Sequence, residues 1–243
     1  MATLTEPIRP KKLHEQVAER LQTMIIERQL APGDRLPSER ELQAMFGIGR
    51  PAVREALLLL ERSGLIALRS GSPATVIEAE PENIIREIRT AVDHFLADPQ
   101  GVKEIQAARA LIECGLARQA ARQRTDADLD SMRNVLERST TALDDQAGFE
   151  RLDREFHTAI VRVSGIKLFE AVLQAMSEWL HDQRMTNLAM PGHADMALAY
   201  HQDIFKSIEA RDADGAEQAM LAHLKHAERV YWAAQQVASR KTG

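Results

Sequence analysis

Three histidines and one aspartate occupy positions where amphipathic helices would bury hydrocarbon, and they are the side chains in this sequence best suited to chemistry. Asp153 and His157 are four residues apart, so both project from one face of a helix. His201 and His223 take equivalent positions in two later apolar stripes. Burying a carboxylate and imidazoles is costly unless they are paired or bind an ion. We predict that these four residues bind one divalent metal ion.

The chemistry of this ligand set indicates what else would bind. Three neutral imidazoles and one carboxylate leave a site with a divalent ion positively charged, and open coordination positions would accept an anionic oxygen. Zinc is the expected ion, with manganese and nickel as alternatives. The competing interpretation is that each buried histidine only bonds a neighbouring residue, but four such residues on inward stripes favour a shared ion.

Arg109 is a second candidate, because it lies on the stripe formed with Ile105, Ile112 and Leu116. A permanently charged guanidinium that faces a helical interior requires an anionic partner. Glu113, four residues later, would satisfy it as an intrahelical pair. A bound organic carboxylate is the other reading, and the residues alone leave both open.

These candidates lie on helices of the C-terminal part of the chain. From Pro81 onward, strand patterns vanish and amphipathic helices are predicted at 82–97, 103–123, 126–145, 147–164, 167–188, 194–210 and 213–237. Their succession without a regular repeat indicates a compact all-α antiparallel bundle.

The N-terminal part shows three short helical patterns followed by a β-hairpin. The first spans residues 13–29, and Ser38 with Glu41 has capping-box spacing at the start of the second. The third starts at Arg50-Pro51, where Pro is tolerated. Two short helices joined by Gly47-Ile48-Gly49 are typical of a helix-turn-helix, and the hairpin would be its wing.

In a helix-turn-helix the second helix enters the major groove of DNA with its N-terminus first. Arginine can form two hydrogen bonds to a guanine edge, and glycine at a wing tip lets the backbone approach a groove. We therefore predict as DNA-contacting residues Arg40, Gly49, Arg50, Pro51, Arg54, Ser70 and Gly71. The alternative is that the arginines are surface charges paired with Glu39, Glu41 and Glu55.

Length and composition agree with two domains, which we place at residues 1–80 and 81–243 of the 243-residue chain. The single Cys114 excludes an intrachain disulfide, and no apolar run reaches the roughly 20 residues that span a bilayer. A cytoplasmic protein without membrane contact is expected. Residues 1–80 carry equal numbers of acidic and basic side chains, so DNA binding must depend on individual arginines rather than on overall charge.

The motif residues also support a family resemblance. The segments Leu36-Pro37-Ser38-Glu39-Arg40-Glu41-Leu42 and Gly49-Arg50-Pro51-Ala52-Val53-Arg54-Glu55-Ala56-Leu57 closely resemble the winged helix-turn-helix of GntR-type bacterial transcription regulators. The C-terminal part is similar to the all-helical effector domain of the FadR branch. That resemblance implies a metal site at Asp153, His157, His201 and His223 and an effector-binding role for Arg109.

The resemblance implies a metabolite-responsive regulator, and we predict a repressor that a small carboxylate releases from its operator. One winged helix-turn-helix reads only a few base pairs, so a homodimer on a palindromic operator is expected. The runner-up is a metal-dependent hydrolase, since a metal with an open position can activate water. No general base supports it: Glu155 lies about 200° around the helix from Asp153 and His157.

Overall fold

The computed structural model describes residues 11–27, 29–69, 71–78 and 91–242. The chain divides into two compact units, residues 1–88 and 89–243. The boundary predicted at residue 80 stays a prediction, because it falls in the range 79–90, outside the described residues. No helix among the described residues is long and apolar enough to cross a membrane.

The N-terminal unit contains the predicted helix-turn-helix and a short hairpin. Its elements are α1 (Leu13–Ile26), α2 (Glu39–Phe46), α3 (Arg50–Arg62), β1 (Ile66–Ala67) and β2 (Thr75–Val76). The strands are antiparallel, with Ile66 opposite Val76. Apolar side chains of all five elements form one core, which includes Leu21, Leu42, Val53, Leu60, Ile66 and Val76.

Local chemistry sets the ends of the two helices of the helix-turn-helix. The Ser38 hydroxyl accepts a hydrogen bond from the backbone N–H of Glu41, and the Glu41 carboxylate accepts one from the backbone N–H of Ser38. Helix α2 ends at Gly47, which has a φ of +64°, a conformation that glycine adopts without strain. Helix α3 then begins after Gly49 with Pro51 in its first turn. The predicted capping box and turn are confirmed.

The C-terminal unit is all-helical over the described residues. The first nine residues of the helix predicted at 82–97 lie outside the described residues, and residues 91–96 are helical. The later helices are α4 (Pro99–Gln123), α5 (Asp126–Thr141), α6 (Gln146–Arg162), α7 (Lys167–Trp179), α8 (His181–Leu188), α9 (His193–Glu209) and α10 (Ala213–Thr242). Their apolar faces enclose a core that includes Ala117, Met132, Phe149, Phe156, Ile160, Ile204, Ile208 and Met220. The mainly α fold class is confirmed.

Several helix limits differ from the predicted ones, and two of the differences have a clear local cause. Helix α4 starts at Pro99 rather than residue 103, because Pro99 occupies the first turn and Asp98 caps it. The helix predicted over 167–188 is two helices that meet at Leu180, which has a ψ of 18°. No glycine or proline marks this break. Arg184, just beyond it, bonds the Glu150 carboxylate at 3.0 Å and the carbonyl oxygen of Ser177, and these contacts fix the second helix.

Candidate metal centre and nucleic-acid interface

The four predicted metal ligands converge in the interior of the C-terminal unit. Helix α6 supplies Asp153 and His157, α9 supplies His201 and α10 supplies His223. One ligand atom from each residue lies within 4.8 Å of all the others. The Nε2 atom of His223 is 3.2 Å from that of His157 and 3.3 Å from that of His201. Asp153 Oδ1 is 3.3 Å from His201 Nε2 and 4.0 Å from His157 Nε2.

These distances suit a shared cation. Ligand atoms about 2.0–2.2 Å from zinc would be about 3.3–3.6 Å apart in a tetrahedral site. The His223 Nε2 atom faces two other imidazole nitrogens, and a single proton on it can be directed at only one of them. In addition, the Nδ1 atoms of His201 and His223 are buried without a hydrogen-bond partner. A positive ion among the Nε2 atoms would remove the repulsion between their facing lone pairs, so the donor set fits a divalent metal.

Glu113 contacts His157 of this cluster on the ring nitrogen that faces away from the other ligands, and the sequence did not predict this role. Its carboxylate bonds Nδ1 of His157 through one oxygen and Nε of Arg109 through the other. Burial raises the pKa of Glu113, but the charge of Arg109 and the hydrogen bonds from Arg109 and His157 outweigh it and bring the pKa to about 2. The ionised carboxylate accepts a hydrogen bond from the Nδ1–H group of His157, which leaves the Nε2 lone pair of His157 for a metal.

The electrostatics of the cluster favour the protonation states that bind metals. Burial lowers the pKa of His201 and lowers that of His223 further, so both imidazoles are neutral at pH 7. Burial opposes the ionisation of Asp153, yet its hydrogen bond with His201 and the nearby histidines bring its pKa well below the usual value. His201 and His223 therefore offer neutral nitrogens, and Asp153 offers a charged oxygen.

A small cavity lies beside the cluster, with about 30 Å³ open to the centre of a water molecule. Arg109, Asp153 and His223 line one part of it. The rest of its polar lining was not predicted and comes from Gln183, Arg184, Asn187 and His193. His193 is 9% exposed and stacks on His226 with ring centroids 5.6 Å apart.

Several polar atoms around this cavity are buried and have no hydrogen-bond partner in the part of the chain that the structure describes: Gln183 Oε1, Arg184 Nη1, Asn187 Oδ1 and His193 Nδ1. The orientation of the Asn187 amide is fixed, because its nitrogen donates to the Ala227 carbonyl oxygen at 2.9 Å. Its carbonyl oxygen is thus an acceptor that needs a donor. Buried polar groups are nearly always hydrogen-bonded, so this lining is suited to a polar ligand.

In the N-terminal unit, Arg50 and Arg54 lie at the start of α3 with side chains 63% and 57% exposed. Both bond the Glu39 carboxylate: Arg50 Nε is 3.0 Å from Oε2 and Arg54 Nε is 3.1 Å from Oε1. The predicted ion pair with Glu39 is therefore present. The two arginines also line a groove of about 690 Å³ between α3 and the hairpin, a surface that remains open to a ligand.

The other predicted DNA-contacting residues take different positions. Gly71 lines the same groove and has a φ of +76°, which only glycine adopts readily. Arg40 in the first turn of α2 and Gly49 and Pro51 at the start of α3 are exposed. Ser70 lies outside the described residues. Glu39 and the exposed Arg69 also line the groove, and neither was predicted as a site residue.

Comparisons with known proteins agree with this two-part geometry. Residues 13–76 match the model of the bacterial regulatory proteins of the gntR family, and residues 104–226 match that of the FCD domain. The chain is 37% identical over 237 residues to the HTH-type transcriptional repressor NanR of Citrobacter rodentium (strain ICC168), covering 97% of this chain and 91% of that protein. It is 35% identical over 239 residues to NanR of Escherichia coli (strain K12), covering 98% and 91%.

Solved structures show the same fold. The Streptococcus agalactiae GntR structure superposes with a TM-score of 0.61 at 25% identity, covering 89% of this chain and 99% of that chain. Escherichia coli McbR/YncC superposes with a TM-score of 0.52 at 19% identity, covering 94% and 100%, a likeness of fold alone.

Proposed function

Since this chain belongs to the GntR family of bacterial regulatory proteins and carries an FCD domain, we propose that it is a repressor released from operator DNA by a small carboxylate bound beside a divalent metal ion. It is a metabolite-responsive DNA-binding transcription regulator and not an enzyme. Zinc is the proposed ion, with manganese and nickel as alternatives. We also propose a cytoplasmic homodimer that reads a palindromic operator, because one recognition helix covers only a few base pairs.

The observation that carries the effector site is the convergence of the four metal-binding side chains beside a cavity lined by Arg109. A divalent ion held by Asp153, His157, His201 and His223 would supply positive charge and an open position for a carboxylate oxygen. Arg109 bonds Glu113 through Nε, so its guanidinium is held in place against the cavity. A carboxylate with one end at the cluster and another contact at Arg109 would have two charged anchors.

The unpaired polar atoms that line the cavity indicate which other groups this carboxylate effector carries. The carbonyl oxygen of Asn187 needs a donor, while Arg109 and Arg184 supply donors. An acid that also carries hydroxyl or amide N–H groups would satisfy both kinds of atom. A simple dicarboxylate brings only acceptors when it is ionised and would leave Asn187 unpaired. We therefore propose a hydroxylated or amide-bearing acid as the effector.

The cavity is small enough to constrain how the effector enters. Its roughly 30 Å³ exceeds the ~10–15 Å³ that one water molecule needs and is far below the volume of an organic acid. An effector must therefore bind a more open arrangement of the lining. Such a ligand shifts the protein toward that arrangement by its difference in affinity for the two states, which is the energy available for regulation.

The hydrolase alternative has no support in the site. Glu155 bonds the guanidinium of Arg138 at 2.7 and 3.0 Å on the outer face of α6, as its position between two ligands on a helix predicts. The Glu113 carboxylate is already bonded by Arg109 and His157, and with a pKa near 2 it is a poor proton acceptor.

A mobility-shift titration of operator DNA with candidate acids tests the proposal. Metal-loaded wild-type protein should release the operator when a hydroxylated acid is added, and metal-stripped protein should keep the operator bound. Arg109→Gln should also lose the response while retaining metal, with Arg138→Gln as an exposed control. Equal effector responses in wild-type, stripped and Arg109→Gln protein would show that the metal site and Arg109 are structural only.

A further inference from the structure

One carboxylate in the N-terminal unit contacts two arginines of the predicted recognition surface. Glu39, the first residue of α2, lies with Oε2 3.0 Å from Nε of Arg50 and with Oε1 3.1 Å from Nε of Arg54. The side chains come from two helices, and that of Glu39 is only 34% exposed. The hydrogen bond from Arg50 lowers the pKa of Glu39, so the carboxylate is ionised at neutral pH.

Among the described residues, Arg50 and Arg54 bond Glu39 in a way that leaves the outer edge of each guanidinium free. Each guanidinium reaches Glu39 through Nε. The Nη1 and Nη2 atoms form the far edge of the guanidinium plane, and this edge can bond O6 and N7 of guanine. A carboxylate behind two arginines would thus restrict their rotamers while their far edges point away from it. Both side chains remain more than half exposed.

We propose that Glu39 is a positioning residue for DNA recognition, which aims Arg50 and Arg54 at bases and reduces binding to the phosphate backbone of unrelated sequences. This inference rests on the proposed role of the two arginines as DNA contacts. Nonspecific affinity grows with the number of phosphates that a protein neutralises. A negative charge between two positive ones in the groove reduces the number of phosphates that the protein neutralises. Glu39 would therefore weaken nonspecific binding while it orders the specific contacts.

If Glu39 only stabilised the fold, its replacement would have different measurable effects. As the first residue of α2, Glu39 also interacts favourably with the helix N-terminus, and its loss on that account would lower the melting temperature. It would not change the salt dependence of DNA binding. Glu55 on α3 provides a charge-matched control, since it is 61% exposed and pairs with His14 rather than with either arginine.

The experiment measures DNA affinity of full-length wild type, Glu39→Gln, Glu39→Asp and Glu55→Gln by fluorescence anisotropy. Each protein is titrated with a random-sequence duplex between 50 and 200 mM salt, and with a duplex selected by the wild type from a random library. Glu39→Gln should bind the random duplex more tightly, with a plot of log K against log salt steeper by about one. Its preference for the selected duplex should fall by about five- to 100-fold.

Glu39→Asp separates charge from position. It keeps the negative charge, so its salt dependence should match that of the wild type, but its shorter side chain cannot reach both arginines and the preference for the selected duplex should still fall. Circular dichroism verifies that each variant is folded.

Parallel changes in both affinities for Glu39→Gln and Glu55→Gln would overturn the proposal, as would an unchanged preference in Glu39→Gln. If both Arg50→Ala and Arg54→Ala keep their affinity for the selected duplex, the assignment of the recognition helix fails instead. If Arg50→Ala loses that affinity and Glu39→Gln behaves like Glu55→Gln, only the role of Glu39 is rejected.

Discussion

Replacing Glu113 with Gln should show how much a residue that orients a metal ligand, without being a ligand itself, contributes to metal binding. The Glu113 carboxylate accepts hydrogen bonds from Nε of Arg109 and from Nδ1 of His157, one on each oxygen. Glutamine has the same shape but presents one oxygen and one NH₂ group. The NH₂ group must therefore face one of the two donors, or His157 must move its proton to Nε2. A protonated Nε2 cannot bind a metal, so either outcome weakens the site.

The expected magnitudes follow from these contacts. Loss of a partner that orients a metal-binding histidine typically costs about 10- to 100-fold in metal affinity. That range is equivalent to ~1.4–2.7 kcal/mol. The guanidinium of Arg109 also loses its buried anion, and breaking a buried ion pair costs about 3–5 kcal/mol. For a protein of this size, the melting temperature should fall by roughly 6–20 °C.

Competition with a chromogenic chelator measures the metal affinity, at a temperature where circular dichroism shows that the variant is folded. Glu155→Gln is the control, because it removes the same charge from an exposed pair with Arg138. The double variant Arg109→Met/Glu113→Gln should recover much of the lost stability, since no buried charge is left unpaired. Wild-type metal affinity in Glu113→Gln, or an equal loss in Glu155→Gln, would refute this account of Glu113.

Four further predictions follow from the structure. Arg50→Ala or Arg54→Ala should weaken operator binding by about 1–3 kcal/mol in fluorescence anisotropy, and unchanged affinity in both would reject α3 as the recognition helix. Elemental analysis should find about one divalent metal per chain. A metal at 100 times its Kd adds ~2.7 kcal/mol to the free energy of unfolding, so chelation should lower the Tm in calorimetry by roughly 5–11 °C. Absence of both the metal and the Tm shift would reject the site. Burial lowers the pKa of His201 and His223 below 6.5, so below that pH the unfolded chain binds more protons than the folded one. The metal-free protein should therefore lose stability as the pH falls through about 6.5 in urea titrations, and a flat profile would contradict this. Burial raises the pKa of Cys114 to about 11, so an aromatic disulfide reagent should label it far more slowly in native than in urea-unfolded protein; equal rates would contradict the burial.

The sequence by itself determined the features that depend on short-range spacing. The capping box of Ser38 and Glu41 and the glycine turn before α3 act within a few residues, so their pattern predicted the helix-turn-helix. Helical periodicity also placed Asp153 and His157 on an inward face of one helix. Apolar neighbours predicted that His201 and His223 are buried, and the structure confirms that both are. The cost of burying four such side chains predicted one shared site, and the family resemblance implied the same four residues.

Only the tertiary structure decided which side chains meet across helices. Periodicity shows which face of a helix is buried but does not show what lies opposite, so the bond between Glu113 and His157, 44 positions apart, was not predictable. The break at Leu180 was missed for the same reason, since contacts of Arg184 with Glu150 hold it rather than glycine or proline. The sequence offered three carboxylates as partners of the arginines, and the packing of α2 against α3 decided that Arg50 and Arg54 pair with Glu39. Local spacing specifies the elements, and long-range packing specifies the partners of their polar groups.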